Sequence, residues 1–468
     1  MERLIKTGRL VPKHSKDVNT SRIGIGFEKL DREVFDPEKA YDKVAELGVK
    51  WVRLQSGWAR TEKEKGKYDF AWLDSIVDNL IKRGLVPWMC LCYGNGLYDE
   101  NAAKVFGAVG CPPIHTDEQK KAWASYVSAL AKHFSGRITY YEVWNEPDGK
   151  WCWKHGPSGE EYGRFAAETA KALKAADPSA RVIGGSQCMS SLHYMDKAFA
   201  AGMAEEISAI TFHQYTSHEE TVFERVRSLR ALCNAYNPKL EIIQGESGSQ
   251  SRYGGAGALA GGAWTPARQA KQLLRHSVAD LMTEVKFLSY FSCMDMIEAL
   301  NGVAGQKESY LDYGYFGVLG ADFDENGFST GEYKPKPSYY ALQNLCSVFS
   351  GEFEREELPV SFITNESRRT LGQDVSIQDI IFGGFRRANG SCALAYWYPA
   401  DLMTCDFEST CTIETAALTG EIRLIDPMTG DIYTVPESIL KDCGGGRYIF
   451  NNLPIKDYPL ILTFGSFA

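Results

Sequence analysis

Two hydrophobic patterns alternate along the first three quarters of the chain. From residue 23 to about residue 349, short apolar runs are followed by longer segments in which apolar residues recur at every third or fourth position. The short runs predict strands that are buried on both faces, and the longer segments predict amphipathic helices. The predicted strands cover 23–30, 50–57, 86–94, 138–147, 180–187, 208–216, 240–249 and 286–296. The predicted helices cover 37–48, 69–84, 117–136, 158–178, 192–207, 219–236, 265–285 and 337–351.

This alternation predicts the fold class. Eight strand–helix units in about 330 residues is the number found in a (β/α)8 barrel, the TIM barrel. A doubly wound open sheet is the alternative, but the glycine-rich phosphate loop typical of such sheets does not follow the first strand. Helix-end signals agree with the assignment, because Gly48 and Gly84 occupy C-cap positions and Asp117 is a possible N-cap.

The pattern changes near residue 352. Long helical periodicities stop, and about seven or eight short strand-like pieces follow in about 115 residues, with hairpin-turn signals between them. This predicts a β-sandwich over 352–468, appended to a catalytic barrel over 23–351. The segment 1–22 contains the strand-like run LIKTGRLV, so we expect it to pair with the sandwich.

Composition and charge exclude several classes of partner. The 468 residues are 44% hydrophobic, enough for a large core, and the formal net charge is −9. Neither a nucleic acid nor an anionic membrane is an expected partner, because no basic run exceeds a few residues. The 12 cysteines show no metal-ligand spacing, so we expect no metal and no cofactor. Free thiols and the lack of an apolar leader favour a cytoplasmic location, and the oligomeric state stays open.

The most specific motif is VWNEP at the end of the fourth predicted strand, Val143–Pro147. Composition alone would produce Trp-Asn-Glu-Pro in about one in a thousand chains of this length. Catalytic groups of barrels stand at the carboxyl ends of strands, which is where Glu146 falls. The alternative is a glutamate that pairs with an arginine in the barrel mouth.

A second carboxylate stands in the equivalent place three strands later. Glu246 ends the seventh predicted strand, between Gly245 and Ser247. One such glutamate is weak evidence, but two glutamates on strands four and seven form a specific pair. Double-displacement glycoside hydrolysis needs such a pair, since one carboxyl attacks the anomeric carbon and the other protonates the leaving oxygen. Their carboxyl groups should then lie about 5–5.5 Å apart.

With these motifs, the chain resembles the retaining barrels of glycoside hydrolase clan A, and most closely family 39, which contains β-xylosidase and iduronidase-type enzymes. The likeness spans most of residues 23–349, with a sandwich in the expected place. The segments that carry it are YGNGLYD (93–99), ITYYEVWNEPDGKWCW (138–153), TFHQYT (211–216) and YKPKPSYYALQNL (333–345).

The resemblance implies roles for individual residues. Glu146 matches the acid/base and Glu246 the nucleophile. Asn145 matches the amide that holds the sugar 2-hydroxyl, Tyr215 a hydroxyl near the nucleophile, and His213 a histidine of the sugar pocket. From the residues themselves, Arg53 at the end of the second strand is expected to keep the nucleophile ionised.

The sequence also departs from the clan. Many members carry a tryptophan at the end of strand eight that forms the floor of the sugar site, but this strand reads SYFSCMDM. Phe291 or Trp264 could replace it, and Asp295 could supply a polar contact. Trp151 and Trp153, just after the acid/base, could stack on the aglycone or pack against a neighbouring loop. The glycine-rich segment 252–264 is expected to be either a lid or a surface loop.

The function predicted from these residues is a retaining β-glycosidase that acts on an oligosaccharide or a small glycoside. Two alternatives stay open: a non-hydrolytic carbohydrate-binding relative, and a metal-dependent barrel lyase or isomerase. The sequence does not choose the sugar, the linkage, or exo against endo cleavage.

Overall fold

The computed structural model describes residues 1, 4–364, 367–370, 373–376, 380–402 and 404–468. After a first strand, β1 (Ile5–Arg9), eight parallel strands close into a barrel. These are β2 (Ile23–Gly26), β3 (Trp51–Gln55), β4 (Val86–Leu91), β5 (Tyr140–Val143), β6 (Arg181–Gln187), β7 (Ala209–His213), β8 (Glu241–Ser247) and β9 (Leu288–Tyr290). The predicted (β/α)8 barrel is confirmed.

Helices cover the outside of the barrel and connect its strands. They are α1 (Tyr41–Glu46), α2 (Trp58–Thr61), α3 (Ala71–Lys82), α4 (Glu100–Ala103), α5 (Asp117–Phe134), α6 (Gly159–Ala176), α7 (Leu192–Ala200), α8 (Met203–Glu206), α9 (Thr221–Tyr236), α10 (Pro266–Leu281) and α11 (Pro337–Val348). The expected cap of α5 is wrong by one residue. Thr116 has the extended backbone of an N-cap and its side chain accepts from the Gln119 N–H, so Asp117 is already inside the helix.

An addition that the periodicity did not predict lies between β9 and α11. Strands β10 (Met296–Ile297) and β11 (Tyr313–Gly314) form one antiparallel pair, and β12 (Leu319–Phe323) and β13 (Ser329–Pro335) form another. Strands β10 and β11 have only two residues each, and β12 and β13 are partly exposed, so these strands leave little alternation in the sequence.

The C-terminal region consists of antiparallel sheets. Its strands are β14 (Glu354–Glu356), β15 (Val360–Thr364), β16 (Ser367–Thr370), β17 (Gln373–Ser376), β18 (Ile381–Arg386), β19 (Cys392–Trp397), β20 (Glu408–Thr415), β21 (Ile422–Asp426), β22 (Asp431–Thr434), β23 (Leu440–Asp442), β24 (Tyr448–Lys456) and β25 (Leu460–Phe464). A seven-stranded sheet has the order β1-β22-β21-β25-β19-β18-β14, and a four-stranded sheet has the order β15-β20-β24-β23. The predicted sandwich is confirmed, and β1 forms an edge of its larger sheet.

A compact aromatic cluster closes the amino end of the barrel. Trp51 stacks on Phe287 with ring centroids 4.2 Å apart, and Trp88 packs edge-on against Phe287. The guanidinium of Arg53 lies over the Trp88 ring, 5.5 Å from its centroid. The inside of the barrel therefore changes from apolar to charged towards the carboxyl ends of the strands, where a site can form.

Helix α10 lies between the barrel and the sandwich, and all of its residues from Gln269 to Leu281 are buried. Its Lys271 ammonium donates to Asp457 at 2.7 Å, and its Arg275 guanidinium donates to the Ala400 carbonyl at 2.8 Å. No helix in the described ranges is long and apolar enough to cross a bilayer.

Candidate active site

A cavity of about 380 Å³ opens at the carboxyl ends of the barrel strands. Both glutamates line it, together with Arg53, Asn145 and Tyr215. Further lining residues come from the ends of other strands and from the loops above them: Glu28, Lys29, Arg32, Gln55, Tyr93, Trp151, Cys188, Met189, Gly257, Ala258, Phe291, Glu298, Leu300 and Phe316. The cavity therefore lies where a barrel carries its chemistry.

Glu146 is presented by an unusual turn at the end of β5. Trp144 and Glu146 both have left-handed backbones, with φ of 69° and 47°. Such residues cost about 1–3 kcal/mol each and persist only where neighbours fix them. Here the Trp144 indole donates to the Cys152 carbonyl at 2.7 Å, and the Gly149 N–H closes a turn onto the Glu146 carbonyl at 3.0 Å.

Glu246 lies near the end of β8, opposite His213 of β7, where the strand register shifts. Gly245 permits this arrangement, because a Cβ at Gly245 would lie 3.2 Å from His213 Nε2 and 3.1 Å from Thr211 Cβ. The imidazole can therefore lie directly beside the strand that carries Glu246.

His213 lies between the two glutamates. Its Nδ1–H is 3.0 Å from Oε1 of Glu146 and 2.9 Å from Oε2 of Glu246. One oxygen of each glutamate and one nitrogen of His213 lie within 4.8 Å of one another. The two carboxylates thus face each other across a single side chain.

The protonation of this trio follows from its contacts. Burial opposes the charge of His213, but the charge of Glu246 and the hydrogen bonds of both glutamates raise its pKa to about 10. A metal ion would need the neutral imidazole. With Nδ1 protonated and facing both carboxyl groups, His213 is not available as a metal ligand, so the trio is better described as a hydrogen-bonded network than as a metal site.

Glu246 is ionised at neutral pH. Burial would raise its pKa, but the charge and hydrogen bond of His213, the charge of Arg53 and a hydrogen bond from Tyr215 lower the pKa to about 2. The Tyr215 hydroxyl donates to Oε1 at 2.7 Å, and Arg53 donates to Oε2 at 3.3 Å. Tyr215, Arg53 and His213 all contact this carboxylate.

Arg53 connects the site to two carboxylates that the sequence analysis did not select. It donates to Glu28 at 2.8 Å and, through two nitrogens, to Glu142 at 2.9 Å and 2.5 Å. It also donates to Oδ1 of Asn145 at 2.8 Å, which orients the amide in the cavity wall. Glu28 follows the first barrel strand, so the strand-end rule could have found it. Glu142 lies inside β5 and carries no such signal.

The aromatic candidates separate into two groups. Phe291 and Trp151 line the cavity, and the Trp151 indole N–H donates to Oε2 of Glu146. Trp153 is fully buried and packs edge-on against Trp144. Trp264 does not line the cavity, since its indole N–H donates back to the Leu259 carbonyl at 2.9 Å. Of the two predicted substitutes for the missing floor tryptophan, only Phe291 lies at the site.

Asp295 lies away from the cavity wall. Its carboxylate accepts from the Lys336 ammonium at 2.6 Å and from the Gly317 N–H at 2.9 Å. These bonds tie the segment after β9 to the start of α11. The predicted polar contact with substrate has no support from this position.

A protein-family model matches the part of the chain that carries several residues of this site. The model described as "Glycosyl hydrolases family 39" matches residues 36–232, which include Arg53, Asn145, Glu146, His213 and Tyr215. The chain is therefore similar to glycoside hydrolase family 39 over a range that covers less than half of its length. Glu246 lies beyond the matched range, so the case for Glu246 rests on the geometry described above.

Individual curated proteins and solved structures are also similar to this chain, and the solved structures share its fold. A β-xylosidase from Geobacillus stearothermophilus is 26% identical over 226 residues, which are 44% of this chain and 43% of that protein. The chain thus spans less than half the length of the curated relatives it matches. A family 39 glycoside hydrolase from Bacteroides cellulosilyticus WH2 superposes with a TM-score of 0.63 at 16% identity, over 95% of this chain and 80% of that one. A monomeric β-xylosidase from Caulobacter crescentus CB15 gives 0.59 at 17% identity, over 97% of each chain.

Proposed function

We propose that this protein is a retaining β-glycoside hydrolase that works by double displacement, with Glu246 as nucleophile and Glu146 as acid/base. The observation that carries the proposal is the pair of facing carboxylates, whose near oxygens lie within 4.8 Å. Retaining enzymes hold their carboxyl groups about 5–5.5 Å apart, whereas inverting enzymes leave about 6.5–9.5 Å for a water molecule.

In the first step, Glu246 attacks the anomeric carbon while the bond to the leaving oxygen breaks. Glu146 gives its proton to that oxygen, so the leaving group departs as a neutral alcohol. Arg53, His213 and Tyr215 keep Glu246 ionised, and each contacts its carboxylate directly.

In the second step, Glu246 carries no charge, because its carboxylate is bonded to the anomeric carbon as an ester. Glu146, now ionised, takes a proton from water as the water oxygen bonds to the anomeric carbon and Glu246 is released. The Asn145 amide, oriented by Arg53, is placed to contact the sugar 2-hydroxyl, whose hydrogen bonds strengthen in the transition state.

The relatives guide the choice of substrates for the first assay. The matched proteins include a β-xylosidase and the β-galactosidase BgaA of Clostridium cellulovorans. Aryl β-xylosides and aryl β-galactosides therefore come first in a panel that also contains glucosides and arabinosides. Turnover should persist in the presence of a chelator, since the proposed chemistry uses no metal.

Azide rescue of two variants tests the roles of the glutamates. Glu246→Ala should lose nearly all turnover, and azide should restore part of it with a product of inverted configuration. Glu146→Ala should still form the glycosyl-enzyme from substrates with good leaving groups and then stall, and azide should give a product of retained configuration. Proton NMR of the two glycosyl azides is the measurement. The opposite stereochemistry in the two variants would mean that the roles of Glu146 and Glu246 have to be exchanged. Turnover that is lost in the presence of a chelator would favour the metal-dependent alternative.

A further inference from the structure

The carboxyl group of Glu146 has a second nitrogen donor besides His213. The indole N–H of Trp151 donates to Oε2, while Oε1 faces Nδ1 of His213. We propose that Trp151 is a positioning residue that strengthens Glu146 as a proton donor, rather than only a platform for an aglycone. The inference rests on the proposed function, because it acts through the acid/base role of Glu146.

Hydrogen bonds hold the backbone of the loop that carries this indole. The Lys154 ammonium donates to the Trp151 carbonyl at 3.2 Å and to the Leu300 carbonyl at 3.0 Å, which ties the loop to the segment after β9. The N–H of Trp153 bonds to the Gly149 carbonyl at 2.9 Å and closes the turn. The backbone from which the indole projects is therefore held by the protein itself.

Gly149 is the residue that leaves room for the ring. A Cβ at Gly149 would lie 2.5 Å from Cε2 of Trp151 and 3.0 Å from its Nε1. Any larger residue at Gly149 must push the indole away. The chain thus places a glycine three residues after Glu146, where the indole that contacts Glu146 needs space.

The chemical effect follows from the nature of the donor. An indole N–H can only donate, and its bond to a carboxyl group becomes stronger as the group becomes charged. Negative charge develops on Glu146 as its proton moves to the leaving oxygen. The N–H therefore stabilises the transition state of that proton transfer, in the way that preorganised donors stabilise a developing oxyanion.

Trp151→Phe is the central test, because it retains an aromatic face and removes the N–H. For glycosides with poor leaving groups, such as alkyl or phenyl glycosides, kcat/KM should fall about tenfold or more. For 2,4-dinitrophenyl glycosides, which need little acid assistance, kcat/KM should change less than about threefold. The alkaline limb of the pH–rate profile should move upward by about one pH unit.

Trp153→Phe is the matched control. Trp153 stands two residues further along the same loop, and its indole nitrogen is buried without a hydrogen-bond partner in the described part of the chain. This variant also removes an indole N–H, but one that makes no hydrogen bond to Glu146. Its leaving-group dependence and its alkaline limb should both match the wild type.

Two further variants keep the test decisive. Gly149→Ala retains the indole but displaces it. It should change the leaving-group dependence of kcat/KM and the alkaline limb in the same direction as Trp151→Phe does. It therefore tests the proposal even if Trp151→Phe fails to fold. In the Glu146→Ala background, Trp151→Phe should add no further loss on dinitrophenyl glycosides, because the carboxyl group through which it acts is absent.

The outcomes separate this inference from the proposed function. If the wild type hydrolyses aryl glycosides but Trp151→Phe slows good and poor leaving groups equally, with an unmoved alkaline limb, then Trp151 only stacks or packs and the inference is wrong. If the wild type hydrolyses no glycoside of the panel, the proposed function is wrong, and this inference with it.

Discussion

At the scale of single residues, the site depends on two cations placed among four carboxylates. Arg53 contacts Glu28, Glu142 and Glu246, and His213 contacts Glu146 and Glu246. Burial raises the pKa of Glu28 to about 7, against the charge of Arg53 and with the repulsion of Glu246. Near neutral pH Glu28 is therefore partly protonated, while Glu246 keeps its charge.

The pH dependence of Glu246, the proposed nucleophile, gives a prediction at this scale. The pKa of Glu246 is lowered to about 2, so its carboxylate is lost only as the pH falls towards that value. His213 and Tyr215 both contribute to this lowering. We expect His213→Asn and Tyr215→Phe to move the acid limb of the kcat/KM profile to higher pH. The shift should exceed one pH unit for His213→Asn and be smaller for Tyr215→Phe, because the charge of His213 lowers the pKa of Glu246 more than the Tyr215 hydrogen bond does.

Tyr141→Phe provides the control for that measurement. Tyr141 is a buried tyrosine of β5, and its hydroxyl has no hydrogen-bond partner in the described ranges. The acid limb of the kcat/KM profile of Tyr141→Phe should coincide with that of the wild type. Equal shifts in all three variants, or none in His213→Asn, would show that these contacts do not hold Glu246 ionised.

At the scale of elements, the glycine-rich segment after β8 forms one wall of the cavity. Gly257 and Ala258 line it, and the Gln250 amide donates to the Ala256 carbonyl at 2.6 Å. The Gln250 side chain, just before the segment, thus holds it beside the site. Gly257 also lies against Glu298, the partner of the Lys29 ammonium at 3.1 Å.

Gly257→Ala tests the contribution of this wall. Gly257 has φ of 87°, and a Cβ there would lie 3.1 Å from the Glu298 carboxyl carbon, so the Lys29–Glu298 pair in the cavity wall must move to make room. We expect KM to rise about threefold to tenfold, with a smaller change in kcat, because the glutamates are not displaced. Steady-state kinetics on the best aryl glycoside measure both constants.

Gly254→Ala is the matched control for the same segment. Gly254 has a similar φ of 79°, but a Cβ there would meet nothing within 4 Å. Both variants therefore carry the same backbone penalty, and only one of them approaches the cavity. A rise in KM of the same size in both would attribute the effect to loop strain instead of the cavity wall.

At the scale of the whole molecule, the sandwich and the barrel share a buried ion pair. Lys271 of α10 and Asp457 lie 2.7 Å apart, with side chains 5% and 0% exposed. Removing one member of a buried pair leaves the other charge unpaired, at a cost of about 3–5 kcal/mol. The helix that carries Lys271 is covered on both sides, so the sandwich completes the fold of the barrel.

Lys271→Ala should therefore lower the thermal unfolding midpoint by several degrees, whereas Lys286→Ala should leave it within about one degree. Lys286 pairs with Glu241 at 2.8 Å, but its side chain is 41% exposed, and such surface pairs contribute about 0–1 kcal/mol. Differential scanning calorimetry of both variants compares them directly. Equal midpoints would mean that the contact between the sandwich and the barrel adds little to stability.

Much of the fold and the central residues of the site could be predicted from the sequence. Buried strands and amphipathic helices leave separate periodicities, so the eight barrel strands could be predicted from the sequence. Strands β10 and β11 have only two residues each, and β12 and β13 are partly exposed, so these four strands left no clear signal. Glu146 and Glu246 were predictable because a barrel brings the carboxyl ends of all its strands to one mouth.

Only the tertiary structure decided how side chains from distant positions meet. Glu142 lies inside a strand, and it joins the site through Arg53, which is 89 residues away. Trp151 and Trp264 are both tryptophans in loops near strand ends, yet one donates to Glu146 and the other to its own loop. Periodicity along the chain reports which face of an element is buried, whereas the path of a loop depends on all the surfaces it packs against. The sequence by itself therefore determined the barrel and its two glutamates, and the tertiary structure determined which donors control their protons.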